Sequence, residues 1–286
     1  MTRHKLFPDA EARGQVAAKR VTWMCEDRQQ MVFQVPRLAV IFTAGLESEL
    51  PWDDEPVVIP FSRIPGFEDL EGSDYPQIKG HKREFQYGFI GGKPFIAILG
   101  RIHLYEGEDE IKTRRMVRLM SDMLTHLGVG RILSTSLVGS CDEEITIGDI
   151  LLATEFLNNG ERMTSVGAEG HPSLEDTVDE HLVAALMAVE PSVKAVAHAF
   201  WKSSTIEGPK QKKALAAQGA KAVGCSGQPT MESIARQRRV EKDVCGLMIL
   251  FVTNGAVHTT EDVKDAVEIH GSRWRDFLHR LIKALI

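Results

Sequence analysis

The chain has 286 residues, of which 43% are hydrophobic and 26% are charged. This composition is that of an ordinary globular protein, and the length suffices for one large α/β domain or two smaller ones. The formal net charge is −6, so the chain lacks the excess of positive charge that nucleic-acid binding requires, and no nucleic-acid partner is expected.

The four cysteines, Cys25, Cys141, Cys225 and Cys245, form no C-x-x-C pair, so neither a zinc site nor a redox motif is indicated. A disulfide framework is not expected in a chain of this length with ample apolar residues. The first residues, MTRHKLFPDAEARGQ, lack the apolar run of a signal peptide. No segment approaches the roughly 18–20 consecutive apolar residues of a membrane span. We therefore expect a cytoplasmic protein with reduced cysteines and no membrane partner.

The first half of the chain begins with residues 1–35, which are mixed and polar and predict no particular element. Residues 37–45 (RLAVIFTAG) predict a buried strand, and residues 46–76, rich in Pro, Gly and acidic residues, predict an irregular connection. The segment EFQYGFIGGKPFIAILG predicts two strands joined by a turn at its glycine pair. TRRMVRLMSDMLTHLG then has the apolar spacing of a helix that ends at Gly128.

The second half alternates strands with helices. Strands are predicted at residues 131–139, 148–157, 193–204, 220–226 and 245–254. Helices are predicted at residues 174–190, 208–219 and 229–242, and over the C-terminal segment that begins at TTEDV. This alternation indicates a largely parallel, covered sheet, in which sites lie at the C-terminal ends of the strands.

Polar residues recur where the predicted strands end. They are Thr43, Arg101, His103, Ser136, Glu207, Ser226 and Asn254. Because the carboxyl ends of parallel strands meet at one edge of a sheet, this recurrence predicts one convergent pocket.

Arg101 and His103 carry the chemistry of an anion site. They lie two residues apart, so on an extended chain their side chains point to the same side. A guanidinium offers a rigid fork of donors to phosphate or carboxylate, and a protonated imidazole adds another donor. Ser226 and the turn at residues 43–45 offer hydroxyl and backbone donors. An arginine and a hydrogen-bonded histidine are common at strand ends, so this local pattern alone names no ligand.

Glu207 and Asn254 suit a different ligand, a flat heterocycle with ring N–H and ring-nitrogen groups. A carboxylate accepts hydrogen bonds, whereas an amide both donates and accepts them. The structural alternatives are a helix-capping Glu207 beside GPKQ and a turn at Asn254-Gly255. From the Asn-Gly dipeptide alone the turn is favoured.

Taken in order, these segments resemble the purine nucleoside phosphorylase family in its trimeric branch. GRIHLYEG is close to the family's G-R-F-H-x-Y-E-G and is the most specific match. VIFTAGLESEL resembles its phosphate loop, IPGF and IKGH resemble two further landmarks, and LFVTNGA resembles L-I-T-N-x-A. Three further segments match the family by position. The family's T-N-A-A-G-G is here LSTSLVGS, its G-P-S-F-E-T is SSTIEG, and its A-V-G-M-S-T-x-P is AVGCSGQP.

This resemblance implies an α/β fold with a central mixed, largely parallel sheet flanked by helices. The nucleoside phosphorylase-like domain is expected at residues 36–286, and residues 1–35 are expected to form an N-terminal extension.

The resemblance also implies a role for each matching residue. Phosphate binding is implied for Thr43, Ala44, His81, Arg101, His103, Leu137 and Ser226. Ribose binding is implied for Tyr105, Cys225 and His270, and base binding for Ile206, Glu207 and Asn254. The implied catalytic residues are His103, Glu207 and Asn254. An asparagine at position 254 goes with 6-oxopurine substrates in this family, whereas the methylthioadenosine relatives carry aspartate there.

The implied reaction is phosphorolysis of the N-glycosidic bond of a purine nucleoside, which yields the free base and pentose 1-phosphate. Phosphate is the co-substrate, and neither a metal nor an organic cofactor is required. A homotrimer is implied as well.

Four departures from the family pattern cluster at the implied site. Ala44 replaces a serine of the phosphate loop, and Leu137 lies where the family has small residues. Ile206 replaces an aromatic residue that stacks on the base, and Cys225 replaces a methionine. Losing one hydrogen bond to a charged group costs about 1.5–3 kcal/mol, so weaker phosphate binding is expected.

These departures leave two alternatives to phosphorolysis, namely phosphate-independent hydrolysis of nucleosides and non-catalytic nucleoside binding. Retention of Glu207 and Asn254 argues against the non-catalytic alternative, and Asn254 disfavours methylthioadenosine as the substrate.

Overall fold

The computed structural model describes residues 8–46, 50–67, 70, 81–159, 163–164, 172–240, 242–255 and 260–286. The helices within these ranges are α1 (Pro8–Gln29), α2 (Glu110–His126), α3 (Glu180–Val189), α4 (Pro209–Ala217), α5 (Gln228–Arg239) and α6 (Thr260–Leu285). The strands are β1 (Leu38–Phe42), β2 (Val57–Pro60), β3 (Glu84–Ile90), β4 (Lys93–Leu99), β5 (Arg131–Ser140), β6 (Ile150–Leu157), β7 (Lys194–Phe200), β8 (Ala222–Gly224) and β9 (Cys245–Asn254).

One sheet contains all of these strands, in the order β2–β3–β4–β1–β5–β8–β7–β6–β9. Strands β4, β1, β5 and β9 run parallel to one another, so their carboxyl ends lie at the same edge. The predicted mixed, largely parallel sheet flanked by helices is therefore confirmed. Because β9 also pairs with β5, the strands β5, β8, β7, β6 and β9 close into a barrel. The alternation of elements along the sequence gives no sign of this closure.

Helices cover the sheet on both sides. One apolar layer joins the sheet to α1, α2 and α5 through residues such as Val21, Met120 and Ile234. The other joins it to α3 and α6 through residues such as Leu186 and Trp274. The parallel strands at the centre of the sheet are buried on both faces, as their continuous apolar sequences predict.

The hairpin between β3 and β4 turns at Gly91 and Gly92, as the glycine pair predicts. Both residues have positive φ angles, +58° and +71°, which glycine adopts without steric cost. The two carboxylate oxygens of Asp53 accept hydrogen bonds from the amides of Gly91 and Gly92 at 2.8 and 2.7 Å. This hairpin aligns β4, which leads directly to Arg101.

Helix α1 occupies most of the segment for which the sequence predicts no particular element. Ala17, Val21 and Cys25 recur at four-residue spacing and are buried against the rest of the core. The helix packs on α2. Small side chains on the buried face and a polar surface make the apolar periodicity of this helix weak.

Two predicted boundaries differ from the structure by four residues or more. The helix predicted at residues 174–190 begins only at Glu180, because Asp179 caps it by accepting from the amide of Leu182 at 2.9 Å. The strand predicted at residues 193–204 ends at Phe200, where its pairing with the three-residue strand β8 ends.

The connection predicted as irregular at residues 46–76 contains the short strand β2. Antiparallel pairing of β2 with β3 overrides the local Pro-rich composition. Residues 47–49, 68–69 and 71–76 of that connection lie outside the described residues, as do residues 78–80 of the IKGH landmark. Among the described residues, no helix combines the length and the apolar character needed to cross a membrane.

Candidate active site

The loops that follow β1 and β4 converge on β5. The amide of Thr43, directly after β1, donates to the hydroxyl of Thr135 at 2.8 Å. Arg101, shortly after β4, donates through Nη2 to the carbonyl of Thr135 and to that of Ile41, the latter at 3.3 Å. Strand β5 therefore fixes both loops at the carboxyl edge of the parallel strands, as the position of the motifs predicts.

Arg101 is a buried cation. It is 2% exposed, and its described hydrogen-bond acceptors are two carbonyls and, at 3.4 Å, the hydroxyl of Ser134. Among the described residues, no carboxylate pairs with this guanidinium, and its Nε has no hydrogen-bond partner. Burial lowers its pKa to about 10, so Arg101 remains charged at neutral pH. An uncompensated buried charge of this kind favours the binding of an anion.

His81 stands against Arg101 and His103. Its Nδ1 accepts a hydrogen bond from the amide of Arg101 at 2.9 Å, which leaves the ring proton on Nε2 when the ring is neutral. Burial, together with neighbouring His103 and the positive charge of Arg101, lowers the pKa of His81 to about 3. The rings of His81 and His103 lie edge to face with centroids 5.0 Å apart. His81 is therefore neutral at physiological pH.

His103 is held by Glu106. Its Nδ1 lies 2.7 Å from one carboxylate oxygen of Glu106, and the other oxygen of Glu106 accepts from Arg83 at 2.6 Å. Burial lowers the pKa of His103, although the hydrogen bond to Glu106 acts in the opposite direction. The Glu106 carboxylate therefore fixes the tautomer with the proton on Nδ1 and leaves Nε2 as an acceptor.

Tyr105 and Cys225 connect this region to the loop after β8. The ring of Tyr105 stacks on that of His103 with centroids 5.0 Å apart. Burial, and after it the neighbouring Cys225 thiol, raises the pKa of the Tyr105 hydroxyl. The hydroxyl of Ser226 donates to that of Ser136 in β5 at 3.3 Å. Ser136 lies inside β5, rather than at the strand end that the sequence predicts.

Glu207 is a buried carboxylate whose charge acts on Cys225. Burial raises the pKa of the Cys225 thiol to about 11, the negative charge of Glu207 raises it further, and the positive charge of Arg101 opposes both. Glu207 is 7% exposed, and burial raises its own pKa, with Lys212 acting in the opposite direction. Cys225 thus lies within electrostatic range of both Arg101 and Glu207.

Asn254, the last residue of β9, is bound by a lysine from α4. Lys212 donates through Nζ to Oδ1 of Asn254 at 2.5 Å and to the carbonyl of Gly255. The Nδ2 group of Asn254 donates to the hydroxyl of Thr253 at 3.3 Å. Burial lowers the pKa of Lys212, and the neighbouring Cys141 and Glu207 oppose that shift. Lys212 and Asn254 therefore form a buried hydrogen-bonded group, and the negative charge of Glu207 acts on its lysine.

The remaining predicted site residues show no such contacts. Among the described residues, no hydrogen bond or ring contact joins Ala44, Leu137 or Ile206 to this group. Leu137 is half-buried and packs on the apolar layer under α6. His270 packs against Gly148 and the ring of Trp274, 5.8 Å away between centroids, rather than against Tyr105 or Cys225. The placement of these four residues leaves their implied roles untested.

Lys212 is the residue that the sequence interpretation missed. It belongs to α4, whose segment KQKK contains three lysines and therefore predicts a solvent-exposed helix face. Only the three-dimensional structure shows that the side chain of one of these lysines, Lys212, is buried. Among the described residues, no three His, Cys, Asp or Glu side chains are grouped as metal ligands.

Comparison with known proteins places the chain in a family. Residues 54–286 match the family model of the phosphorylase superfamily. Purine nucleoside phosphorylase 1 of Geobacillus stearothermophilus is 28% identical over 124 residues, which cover 43% of this chain and 42% of the relative. Purine nucleoside phosphorylase of Saccharomyces cerevisiae is 26% identical over 186 residues, which cover 62% of this chain and 55% of the relative. The chain thus spans about half the length of these relatives.

A solved structure shares the fold over nearly the whole chain. Isoform 2 of purine nucleoside phosphorylase from Schistosoma mansoni, in complex with cytosine and ribose-1-phosphate, superposes with a TM-score of 0.76 and 20% identity. The superposition covers 96% of this chain and 97% of that protein. The predicted resemblance to purine nucleoside phosphorylases is confirmed, and the chain belongs to the phosphorylase superfamily.

Proposed function

We propose that this protein transfers the pentosyl group of a purine nucleoside to inorganic phosphate, releasing the free base and pentose 1-phosphate. The observation that carries the proposal is that one strand, β5, contacts both Arg101 and Asn254: the carbonyl of Thr135 accepts from Arg101, and Gly139 pairs with Asn254. A buried cation that suits an oxyanion and a buried amide that suits a heterocycle therefore lie along the same strand. Phosphorolysis requires such a pairing, because its two substrates are an anion and a purine nucleoside.

The phosphate end is built around Arg101, whose guanidinium supplies a fixed positive charge in a buried setting. Neutral His81 donates through Nε2, because its Nδ1 already accepts from the backbone. His103 Nε2 accepts from the protonated oxygen of H2PO4⁻, because its Nδ1 is committed to Glu106. Thr43 and Ser226 contribute hydroxyls, and Thr43 retains one beside Ala44.

The purine end is built around Glu207 and Asn254. The ionised carboxylate of Glu207 accepts the N1–H of a 6-oxopurine, and one N–H of the Asn254 amide donates to its acceptor edge beside O6 and N7. As the glycosidic bond breaks, its electron pair moves onto the purine, so the donor at Asn254 stabilises more charge in the transition state than in the ground state. The selective binding of that charge lowers the barrier.

The sugar becomes cationic as the base departs, and the bound phosphate stands ready to capture it. One phosphate oxygen forms the new bond to C1′ while the bond from C1′ to the purine nitrogen breaks. Holding both substrates in line converts a bimolecular step into one within a complex. The Schistosoma mansoni relative with ribose-1-phosphate bound contains a product of this kind, which supports the proposal.

A nucleoside panel tests the proposed reaction. Inosine, guanosine and adenosine are each incubated with and without phosphate, and the released base and sugar phosphate are identified by chromatography. We expect base release from inosine and guanosine that depends on phosphate and yields pentose 1-phosphate in equal amount. Cleavage at full rate without phosphate supports a nucleosidase instead, and nucleoside binding without turnover supports a non-catalytic homologue.

The pH dependence of nucleoside binding tests the role of Glu207. Because burial raises the pKa of this carboxyl, protonation begins at a higher pH than for an exposed glutamate. Protonated Glu207 no longer accepts the N1–H, so the KM for inosine is expected to rise as the pH falls through that raised pKa. Initial rates measured in the acid range check this. A Glu207→Gln variant, which cannot ionise, should show no such rise.

Assembly and cofactor requirement complete the proposal. We propose a homotrimer that uses phosphate as its co-substrate and requires no metal or organic cofactor. Light scattering after size-exclusion chromatography measures the mass of the assembly, and a chelator added to the activity assay tests the metal requirement.

A further inference from the structure

Lys212 makes a contact at the purine end to which neither the sequence motifs nor the proposed reaction gives a role. Its Nζ lies 2.5 Å from Oδ1 of Asn254 and also donates to the carbonyl of Gly255. The residue is 2% exposed, although its neighbours Gln211 and Lys213 in α4 are exposed. A buried ammonium is costly unless it is hydrogen-bonded, so its position reflects a specific requirement of this site.

The contact with Lys212 fixes the orientation of the Asn254 side-chain amide. An ammonium has donors and no acceptor, so the atom of Asn254 that faces Nζ is the carbonyl oxygen. The amide nitrogen then points to Thr253, whose hydroxyl accepts from Nδ2 at 3.3 Å and donates to the carbonyl of Val138 at 3.2 Å. A rotation that exchanged oxygen and nitrogen would set the N–H groups against the ammonium. The second hydrogen on Nδ2 is therefore the one available to a ligand.

The surroundings of the pair leave little room for another arrangement. Gly139 in β5 pairs with Asn254 in β9, and a Cβ at position 139 would lie 2.5 Å from Oδ1 of Asn254 and 2.7 Å from Nζ of Lys212. Both distances are far inside van der Waals contact. A glycine at this position is therefore required for the lysine and the amide to meet.

We propose that Lys212 is a positioning residue that holds the Asn254 amide with its N–H edge toward the base and thereby selects 6-oxopurine over 6-aminopurine nucleosides. A 6-oxopurine presents an acceptor at position 6, which the fixed N–H edge matches. A 6-aminopurine presents a donor there, which the fixed edge repels. The inference rests on the proposed function, because it assigns the specificity of that same site.

The charge of Lys212 adds to this effect. A cation bound to Oδ1 draws electron density from the amide and makes its N–H a stronger donor, and the low dielectric of a buried site enhances this. The negative charge of Glu207 acts on the same lysine. Lys212 therefore links the two residues that border the base.

The test compares Lys212→Met, which keeps a long unbranched side chain and removes its donors, with the matched control Lys213→Met on the exposed side of the same helix. The kcat/KM values for inosine and adenosine are measured at saturating phosphate. We expect the inosine-to-adenosine ratio to fall at least about fivefold in Lys212→Met and to stay at the parent value in Lys213→Met. Lys212→Gln, which retains an N–H donor, should recover part of the ratio.

The outcomes separate this inference from the proposed function. If the parent protein cleaves neither nucleoside in the presence of phosphate, the proposed function fails. If Lys212→Met loses activity equally toward both nucleosides, the function stands and the selectivity role of Lys212 is overturned.

A measurement on the parent protein tests the same role where a variant fails to fold. Purine riboside has no substituent at position 6, so the fixed N–H edge predicts the order inosine, purine riboside, adenosine in kcat/KM. A higher kcat/KM for adenosine than for purine riboside would contradict a fixed N–H edge.

Discussion

Replacing Asn254 by alanine is expected to lower kcat/KM for inosine by about 30-fold or more. The departing purine loses the amide donor that stabilises its developing negative charge, and removal of one such donor typically costs about 2 kcal/mol or more of transition-state stabilisation. Because that charge appears only as the bond breaks, the loss should fall mainly on kcat. Initial rates at saturating phosphate, over a range of inosine concentrations, measure both constants.

Alanine at position 254 also removes an acceptor from the buried ammonium of Lys212, so reduced stability could lower the activity by itself. Asn254→Asp avoids this, because a carboxylate still accepts from Lys212 but offers no N–H to the base. We expect Asn254→Asp to keep the thermal midpoint of the parent and to lose activity toward inosine at least as severely. Gln218→Ala, which removes an exposed amide, serves as the control. Parent activity in Asn254→Asp would refute the leaving-group role.

Residues at strand ends were the part of the site that the sequence could predict. Arg101 and Asn254 each follow or end an apolar segment whose length and neighbours indicate a buried strand. Since parallel strands share a carboxyl edge, their convergence follows from the order of the elements. The same reasoning is wrong for Ser136, because β5 continues to Ser140 beneath the loop of Ser226.

Contacts between elements that are distant in sequence could not be predicted. Lys212 and Asn254 are separated by 42 residues, and the lysine-rich sequence around Lys212 indicates a solvated helix face. Closure of the barrel depends in the same way on the pairing of β5 with β9, which no local pattern encodes. Local periodicity specifies elements, whereas the partner of a polar side chain depends on how those elements pack.

Replacing Arg101 by alanine is expected to raise the KM for phosphate roughly 100-fold, which corresponds to about 3 kcal/mol of binding energy. The guanidinium is buried, and among the described residues no carboxylate competes for it. Its charge should therefore act on the bound anion with little screening by solvent. The KM for inosine at saturating phosphate should change far less, because Glu207 and Asn254 remain. Rates measured against phosphate concentration at fixed inosine check this result.

The structural role of Arg101 must be separated from its proposed binding role, since the same side chain donates to the carbonyls of Ile41 and Thr135. Guanidinium ion added to Arg101→Ala restores a mobile cation of the same shape, and it should lower the KM for phosphate without changing that of the parent. Arg101→Lys retains the charge but not the planar fork, so an intermediate KM is expected. Arg63→Ala removes an exposed arginine and should match the parent. If Arg101→Ala folds stably and saturates with phosphate as the parent does, the anion is bound elsewhere, and the guanidinium of Arg101 serves only to hold the loops of β1 and β4 on β5.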